Sequence, residues 1–306
     1  MNNLTCTAVE FFKKHPLAST GDAVQTLGCS GRTARRAKLK ARRQATHKLN
    51  ARILLFDIET IPMEVYVWGL FKQRISPDNI IKEWSVVSWA AKWLFENDML
   101  SDVAKPQEAA KREDGRLLKG IHALLDEADI VVAHNANRFD VRRLNARFIV
   151  NNLPPPRPFQ VIDTLREAKR HFAFSSYKVE SINPLLGLSG KIKTTFDLWK
   201  RCVAGDESAL AMMQKYNKQD VLALEELYVK IRPWIKGHPN MGLFYDKPTT
   251  VCPNCGSGKI NWGGEYRTQV GVYDTYRCES CGAIGRNRKT TVDKKRRERL
   301  GVSVAR

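Results

Sequence analysis

The nine residues Leu54–Pro62, LLFDIETIP, constrain this chain more than any other stretch. An apolar run with the character of a buried strand ends in two carboxylates, Asp57 and Glu59, one residue apart. Side chains alternate faces along a strand, so the two acids point the same way. Held that close, they repel and shift each other's pKa unless something positive stands between them. A divalent cation is the natural neutraliser. A strand end turning into a solvated loop would also accommodate a lone D-x-E, so the remaining sequence has to decide.

Composition narrows the classes. The chain has 306 residues, 43% of them hydrophobic, enough for one large domain or a core domain with small additions. MNNLTCTAVEFFKKHP is polar and has no apolar signal-peptide core, and no stretch approaches the ~18 apolar residues of a membrane span. The expectation is a cytoplasmic protein with no membrane contact. Seven cysteines are an odd number, and four of them fall in two C-x-x-C pairs, which in a reducing compartment points to metal rather than disulfides. The net charge of +19 is uneven: residues 1–50 carry +8, residues 286–306 carry +7, and everything between carries only +4. A near-neutral globule with a basic arm at each end suits a polyanionic partner, with DNA ahead of RNA.

Five pieces follow from the composition shifts. Residues 1–48 read as two short helices and a third, basic one starting at Ser30, with no acid between Asp22 and Asp57. Helix, glycine turn and basic helix resemble a helix-turn-helix DNA-binding segment, with Arg32, Arg35, Arg36, Lys38, Arg42 and Arg43 as its phosphate- and groove-facing cations. A basic helical linker with no groove docking is the alternative. Residues 51–235 alternate strand and helix patterns. The strand candidates are RILLFDI, EVYVWGLF, WSVVSWAAKWL, DIVVAHN and FQVIDT; the helices are 117–127, 138–150, 165–172, 179–186 and a long one from about 206 to 231. The expected fold class is α/β, a mixed sheet flanked by helices, with the small N-terminal helical segment before it. Residues 236–248 read as a linker, 249–286 as a second metal-binding unit and 287–306 as a basic tail, disordered until it meets phosphates.

Two further acids complete a pattern. DIVVAHNANRFD places Asp140 just past a strand, with Asn135 upstream, and QKYNKQD places Tyr216 and Asp220 four apart on one helix face. D-I-E-T at 57–60, N-x-x-x-F-D at 135–140 and Y-x-x-x-D at 216–220 resemble, in order, the three motifs of the DEDDy ribonuclease-H-like 3′–5′ exonucleases, and in general appearance the YprB-type ribonuclease-H-like domain. The sibling group with a histidine five residues before the last acid does not fit, because Lys215 stands there. The resemblance implies a ribonuclease-H-like sheet and a hydrolase acting on phosphodiester bonds with two Mg²⁺ or Mn²⁺ ions. It implies that Asp57, Glu59 and Asp220 hold one ion, that Asp57 bridges to a second with Asp140 assisting, and that Tyr216 orients the attacking water. An unperturbed phenol is too weak a base to deprotonate that water at neutrality. His134 matches no motif position and reads as a structural strand-end histidine. Trp89, Trp93, Phe172, Phe174 and Tyr177 could stack on unpaired bases, but core packing is the first reading for each.

The segment CPNCGSGKINWGGEYRTQVGVYDTYRCESCGAIG carries Cys252, Cys255, Cys278 and Cys281, with a glycine after each second cysteine and hairpin-like sequence between. This resembles a zinc ribbon holding one structural Zn²⁺, since four thiolates leave no open position. Alternatives to a 3′–5′ exonuclease on DNA are a DNA-binding regulator with an inert nuclease core and a structure-selective endonuclease or transposase-like enzyme. No Walker motif accompanies the core, so a replication or repair role would need a partner that the sequence does not identify.

Overall fold

Residues Ile53–Ile61 form β1, the centre of a five-stranded sheet. The computed structural model describes residues 3–15, 20–31, 33, 34, 37, 51–245 and 249–304. They fall into two units, 1–50 with 241–249, and 51–240 with 250–306.

In the first unit, α1 (Asn3–Lys14) and α2 (Thr20–Leu27) are followed by Gly28 at φ 62, a conformation that suits glycine at a helix end. A new helical turn starts at Ser30, whose side chain accepts the Thr33 N–H at 3.2 Å and whose carbonyl accepts the Ala34 N–H at 2.9 Å. Ala8, Phe12, Ala23, Cys29, Ala34 and Ala37 are buried together. Small residues let these short helices approach closely. Arg32, Arg35, Arg36, Lys38, Arg42 and Arg43 lie outside the described residues.

In the second unit, β2 (Glu64–Val65) and β3 (Ile80–Lys82) form a separate short ladder, followed by β4 (Ser85–Trp93) and β5 (Met99–Val103). Next come α3 (Pro106–Lys111), α4 (Gly115–Glu127), β6 (Ile130–Ala133), α5 (Asp140–Val150), β7 (Gln160–Asp163) and α6 (Thr164–His171). After α7 (Val179–Leu185) and α8 (Phe196–Val203) the long α9 (Glu207–Ile231) packs across β1 and β4. The main sheet runs β5-β4-β1-β6-β7; β4 is antiparallel to β1 and β5, while β1, β6 and β7 are parallel. All nine residues of β4 are buried, which explains its near-continuous apolar sequence.

A β-bulge interrupts the β1–β4 pairing between Glu59 and Thr60. The extra residue is Val87 of β4, because Glu59 pairs with Ser88 and Thr60 with Val86; Leu54, Phe56, Ile58 and Ile61 of β1 are all buried in the core. The face carrying Asp57 and Glu59 therefore ends at Glu59. Buried Asp114 ties the layers together: it accepts the Val86 N–H at 3.0 Å, Arg147 Nε and Nη2 at 2.7 and 2.8 Å, and Asn151 Nδ2 at 3.2 Å.

The expected strand EVYVWGLF is not one. Only Glu64 and Val65 pair, and Tyr66–Phe71 stand away from the sheet with no core to face. Strand β5 and helices α3 and α8 are additional elements that the sequence patterns did not announce. Trp89 and Trp93 are core residues, with Trp89 Nε1 donating to Leu117 O at 2.9 Å. Phe172 and Phe174 stack at 5.2 Å between ring centres beside Tyr177 and Trp234.

Residues 250–306 contribute an antiparallel three-stranded sheet, order β10-β9-β8, from β8 (Ile260–Arg267), β9 (Val272–Cys278) and β10 (Ile284–Arg286). In the basic tail Lys294–Glu298 forms a short helix, α10, capped by Asp293, instead of remaining without structure. Among the described residues no helix is long and apolar enough to cross a membrane.

Candidate active site and metal centres

The parallel strands deliver their C-terminal ends to one rim of the sheet, where α/β folds place their ligands. Asp57 and Glu59 leave β1 on one face, opposite Ala90 and Ser88 of β4, whose small side chains keep the space open. From across the sheet, α9 brings Asp220, so that carboxylate oxygens of Asp57, Glu59 and Asp220 lie within 4.8 Å of one another.

Asp140, the first residue of α5 after the turn from β6, lies near enough for its charge to act on Asp57 and Glu59. That turn depends on Asn135, which takes φ 77, and on Asp163 at the end of β7. The Asp163 carboxylate accepts the N–H groups of Asn135 and Asn137 at 3.0 and 3.2 Å and also caps α6 through Leu165 and Arg166. Asn135 is thus a turn-former, and Asp163 is the group that fixes where Asp140 begins its helix.

The electrostatics of this cluster are those of crowded buried anions. Burial first, then the Asp220 charge, pushes Asp57 from 3.8 up to about 7, against the pull of Lys191 and a hydrogen bond from Asn217. Glu59 is raised well above its ordinary value by burial and by Asp57 and Asp220. Asp140 is raised likewise, by burial and by Asp57, with the N–H groups of Asp140 and Ile58 opposing; both its oxygens are buried, and no bond of full hydrogen-bond geometry reaches them among the described residues. Asp220 Oδ1 is similarly orphaned, while its Oδ2 takes Lys191 Nζ at 2.6 Å. Burial raises Asp220, with Lys191 and the Tyr216 hydroxyl opposing. Burial and the neighbouring carboxylates raise the Tyr216 phenol, so it stays protonated and serves as a donor. Three carboxylates with oxygens within 4.8 Å of one another, one of them carrying a buried oxygen with no partner among the described residues, are the donor set that a hard divalent cation takes, and these residues fit one.

Three contributors escaped the motif reading. Asn217, adjacent to Tyr216, donates to Asp57 Oδ2 at 2.6 Å and accepts from Ser88 Oγ at 3.1 Å, fixing the Asp57 rotamer. Lys191 lies on the connection between α7 and α8; burial works against its charge, but Asp220, Asp57 and Glu59 outweigh this and raise its pKa. Nothing in its sequence context distinguishes it from other lysines. Trp84 carries Arg143 at 4.3 Å over its ring. Trp84, Arg143, Lys191 and Tyr216 line a cavity of about 1040 Å³ beside the carboxylates. His134 is engaged at both nitrogens, by Thr164 Oγ1 and Tyr177 O at 2.9 Å each, and burial lowers its pKa to about 4.

Residues 85–232 match the family model of the RNase H superfamily. This part of the chain is an RNase H-like domain. No curated protein matches the sequence. The matched span includes Asp140, Tyr216 and Asp220 and begins after Asp57 and Glu59, which β1 supplies from outside it. An RNase H-like domain indicates a metal-dependent nuclease acting on nucleic acid.

The second cluster is built by two matching turns. Gly256 N–H bonds Cys252 O and Cys252 N–H bonds Ser257 O, both at 2.8 Å; Gly282 with Cys278 O and Cys278 with Ala283 O repeat the pattern at 2.8 Å. Gly256 and Gly282 take φ 74 and 80, which a side chain would strain. The four sulfurs lie within 4.8 Å of one another, with Cys252–Cys281 at 3.7 Å and Cys255–Cys278 at 3.6 Å. A tetrahedron with Zn–S bonds of ~2.3 Å has edges of about 3.8 Å, so the cluster is compatible with zinc. Asn254, inside the first turn, donates to the carbonyls of Arg232 and Ile235 at 2.8 and 3.1 Å, docking the knuckle just beyond the C-terminus of α9.

Two measurements test these centres. Asp57 binds its proton more tightly folded than unfolded, so its contribution to stability is full below about pH 4 and is lost as pH rises through about 7. Asp57→Asn removes that loss: in EDTA at pH 8 the variant melts several degrees above the parent, and the gap closes toward pH 4. Millimolar Mg²⁺ raises the parent's Tm more than the variant's; calorimetry showing a lower variant Tm at pH 8 would refute the assignment. For the cysteine cluster, metal analysis should find one Zn²⁺ per chain, and Cys255→Ser with Cys278→Ser should lose it and open residues 250–286 to proteolysis while the main sheet persists.

Proposed function

We propose that the protein is a Mg²⁺- or Mn²⁺-dependent nuclease, a 3′–5′ exonuclease acting on DNA. The observation that carries this reading is the meeting of Asp57 and Glu59 of β1 with Asp220 of α9, their carboxylate oxygens within 4.8 Å of one another, with buried Asp140 near enough for its charge to act on Asp57 and Glu59. When bound, a divalent ion pair supplies activation of water and neutralisation of charge at the phosphate.

The chain's own residues do the rest. Asp57, Glu59 and Asp220, with Asp140, would hold the ions; Asn217 fixes the Asp57 carboxylate by donating to its Oδ2. Tyr216, a protonated phenol, orients a water by hydrogen bonding rather than by taking its proton. Lys191 places a fixed positive charge at the wall of the cavity, where a phosphate entering beside the carboxylates would meet it. The cavity, walled by Trp84, Trp199 and Phe196, is large enough for a terminal nucleotide and favours an end over an internal position in a duplex. In this reading the N-terminal unit, of helix-turn-helix character, and the ribbon with its basic tail grip the substrate through phosphates.

Asp57→Ala with Glu59→Ala is expected to reduce Mg²⁺-dependent release of nucleotides from 3′-labelled DNA by roughly 10³-fold or more, with DNA binding in EDTA intact. Cleavage that persists rejects the site; binding by the parent protein with no metal-dependent product leaves a DNA-binding protein with an inert core. Removing residues 1–48 is expected to weaken duplex binding and to flatten the slope of log affinity against log salt by up to about 5, in line with six lost phosphate contacts. An unchanged slope would reject the N-terminal grip.

A further inference from the structure

The segment between β1 and β4 does not belong to the sheet. From Pro62 to Glu83 the chain leaves the rim, forms the two-stranded ladder of β2 and β3, and returns. The ladder is extended by the Tyr66 N–H bond to Asn79 O at 2.9 Å. Both feet of this arm are held by one side chain: Arg112 Nη1 donates to Pro62 O at 2.6 Å and to Glu83 O at 2.8 Å, and its Nη2 lies 3.8 Å from Glu64. Arg112 itself adopts φ 62, so its backbone is committed to this placement.

The outer part of the arm exposes several large apolar side chains close together in sequence. Trp68 is fully exposed, Leu70 89%, Phe71 85% and Tyr66 73%. Large contiguous apolar groups left in water mark a binding surface. The polar residues among them are one-sided: Lys72 and Arg74 are cations, and no acid occurs from Val65 to Pro77. Aromatic faces followed by cations suit a partner that offers flat apolar rings on an anionic backbone.

The arm is also continuous with the carboxylate rim. Its first foot follows Glu59 by three residues, and Pro62, Met63 and Trp84, at its two feet, line the cavity that Lys191 and Tyr216 share.

We infer that the Pro62–Glu83 arm is a stacking platform for an unpaired polynucleotide strand, taking bases on Trp68, Phe71 and Tyr66 and phosphates on Lys72 and Arg74, next to the cavity of the RNase H-like domain. This rests on the nuclease reading for its substrate class. Stacking on an aromatic side chain is sequence-tolerant, because every base has a π-face. A duplex offers no free faces along its length, so the platform distinguishes single strands and frayed ends from closed duplex.

The test is binding of fluorescently labelled single-stranded DNA, single-stranded RNA and blunt hairpin duplex to the full chain in EDTA, read by anisotropy. Because EDTA removes cleavage, the result stands apart from whether the carboxylates hydrolyse the strand. Trp68→Ala with Phe71→Ala is expected to weaken single-strand binding about 10- to 100-fold and duplex binding by less than about 3-fold. Trp68→Phe with Phe71→Tyr, which keeps both rings, is expected to retain single-strand binding within about 3-fold. The DNA and RNA arms report which sugar the platform accepts. Unchanged single-strand binding in the alanine variant overturns the proposal, as does an equal loss on duplex. A change in sedimentation from dimer to monomer with binding unchanged also overturns it, by assigning the arm to self-association.

Discussion

Like charges crowded at the edge of a sheet are the constraint to which the rest of this architecture answers. Three carboxylates whose oxygens lie within 4.8 Å of one another, with a fourth beside them, cannot all ionise in a buried site without a counter-charge. Such a cluster persists only where the surrounding frame leaves no other place for its members. Each acid is accordingly anchored by something that would be costly to rearrange. Asp57 and Glu59 sit on the central strand, where a bulge stops their face from running further. Asp140 is set by a turn nailed down by Asp163, and Asp220 rides on a 25-residue helix packed across β1 and β4. Repulsion is concentrated at the rim and is supported by a core that is ordinary elsewhere.

Much of this was legible in the sequence, for physical reasons that differ from element to element. β1 was readable because apolar residues and acids alternate on opposite faces. α9 was readable because Tyr216 and Asp220 share one face of a long amphipathic pattern. The two cysteine turns were readable because each needs a glycine at positive φ directly after its second cysteine, and Gly256 and Gly282 take that conformation.

The failures have equally specific causes. Tyr66–Phe71 has strong β-propensity, but propensity reflects a half-buried surface to pack on, and that segment has none. β5 and α8 are short elements whose patterns are too brief to stand out from loops. Lys191 and Asp163 act at the rim through tertiary contacts spanning 29 and 28 residues of chain, which no local window contains. Asn217 was hidden for the opposite reason: it lies inside a recognised motif, and its neighbours Tyr216 and Asp220 drew the chemistry to themselves.

The hydrogen bonds from Asn254 to the carbonyls of Arg232 and Ile235 give the cysteine-rich sheet a different standing from a bead on a tether. The first knuckle is joined to the rod that carries Asp220, twelve residues and about 18 Å down the helix axis. The distance from that sheet to the carboxylates is therefore gauged by helical rise and not by the slack of a connecting loop. Lengthening or shortening α9 by one turn would change that separation by ~5.4 Å, so the helix sets the spacing between the carboxylate cluster and the cysteine cluster.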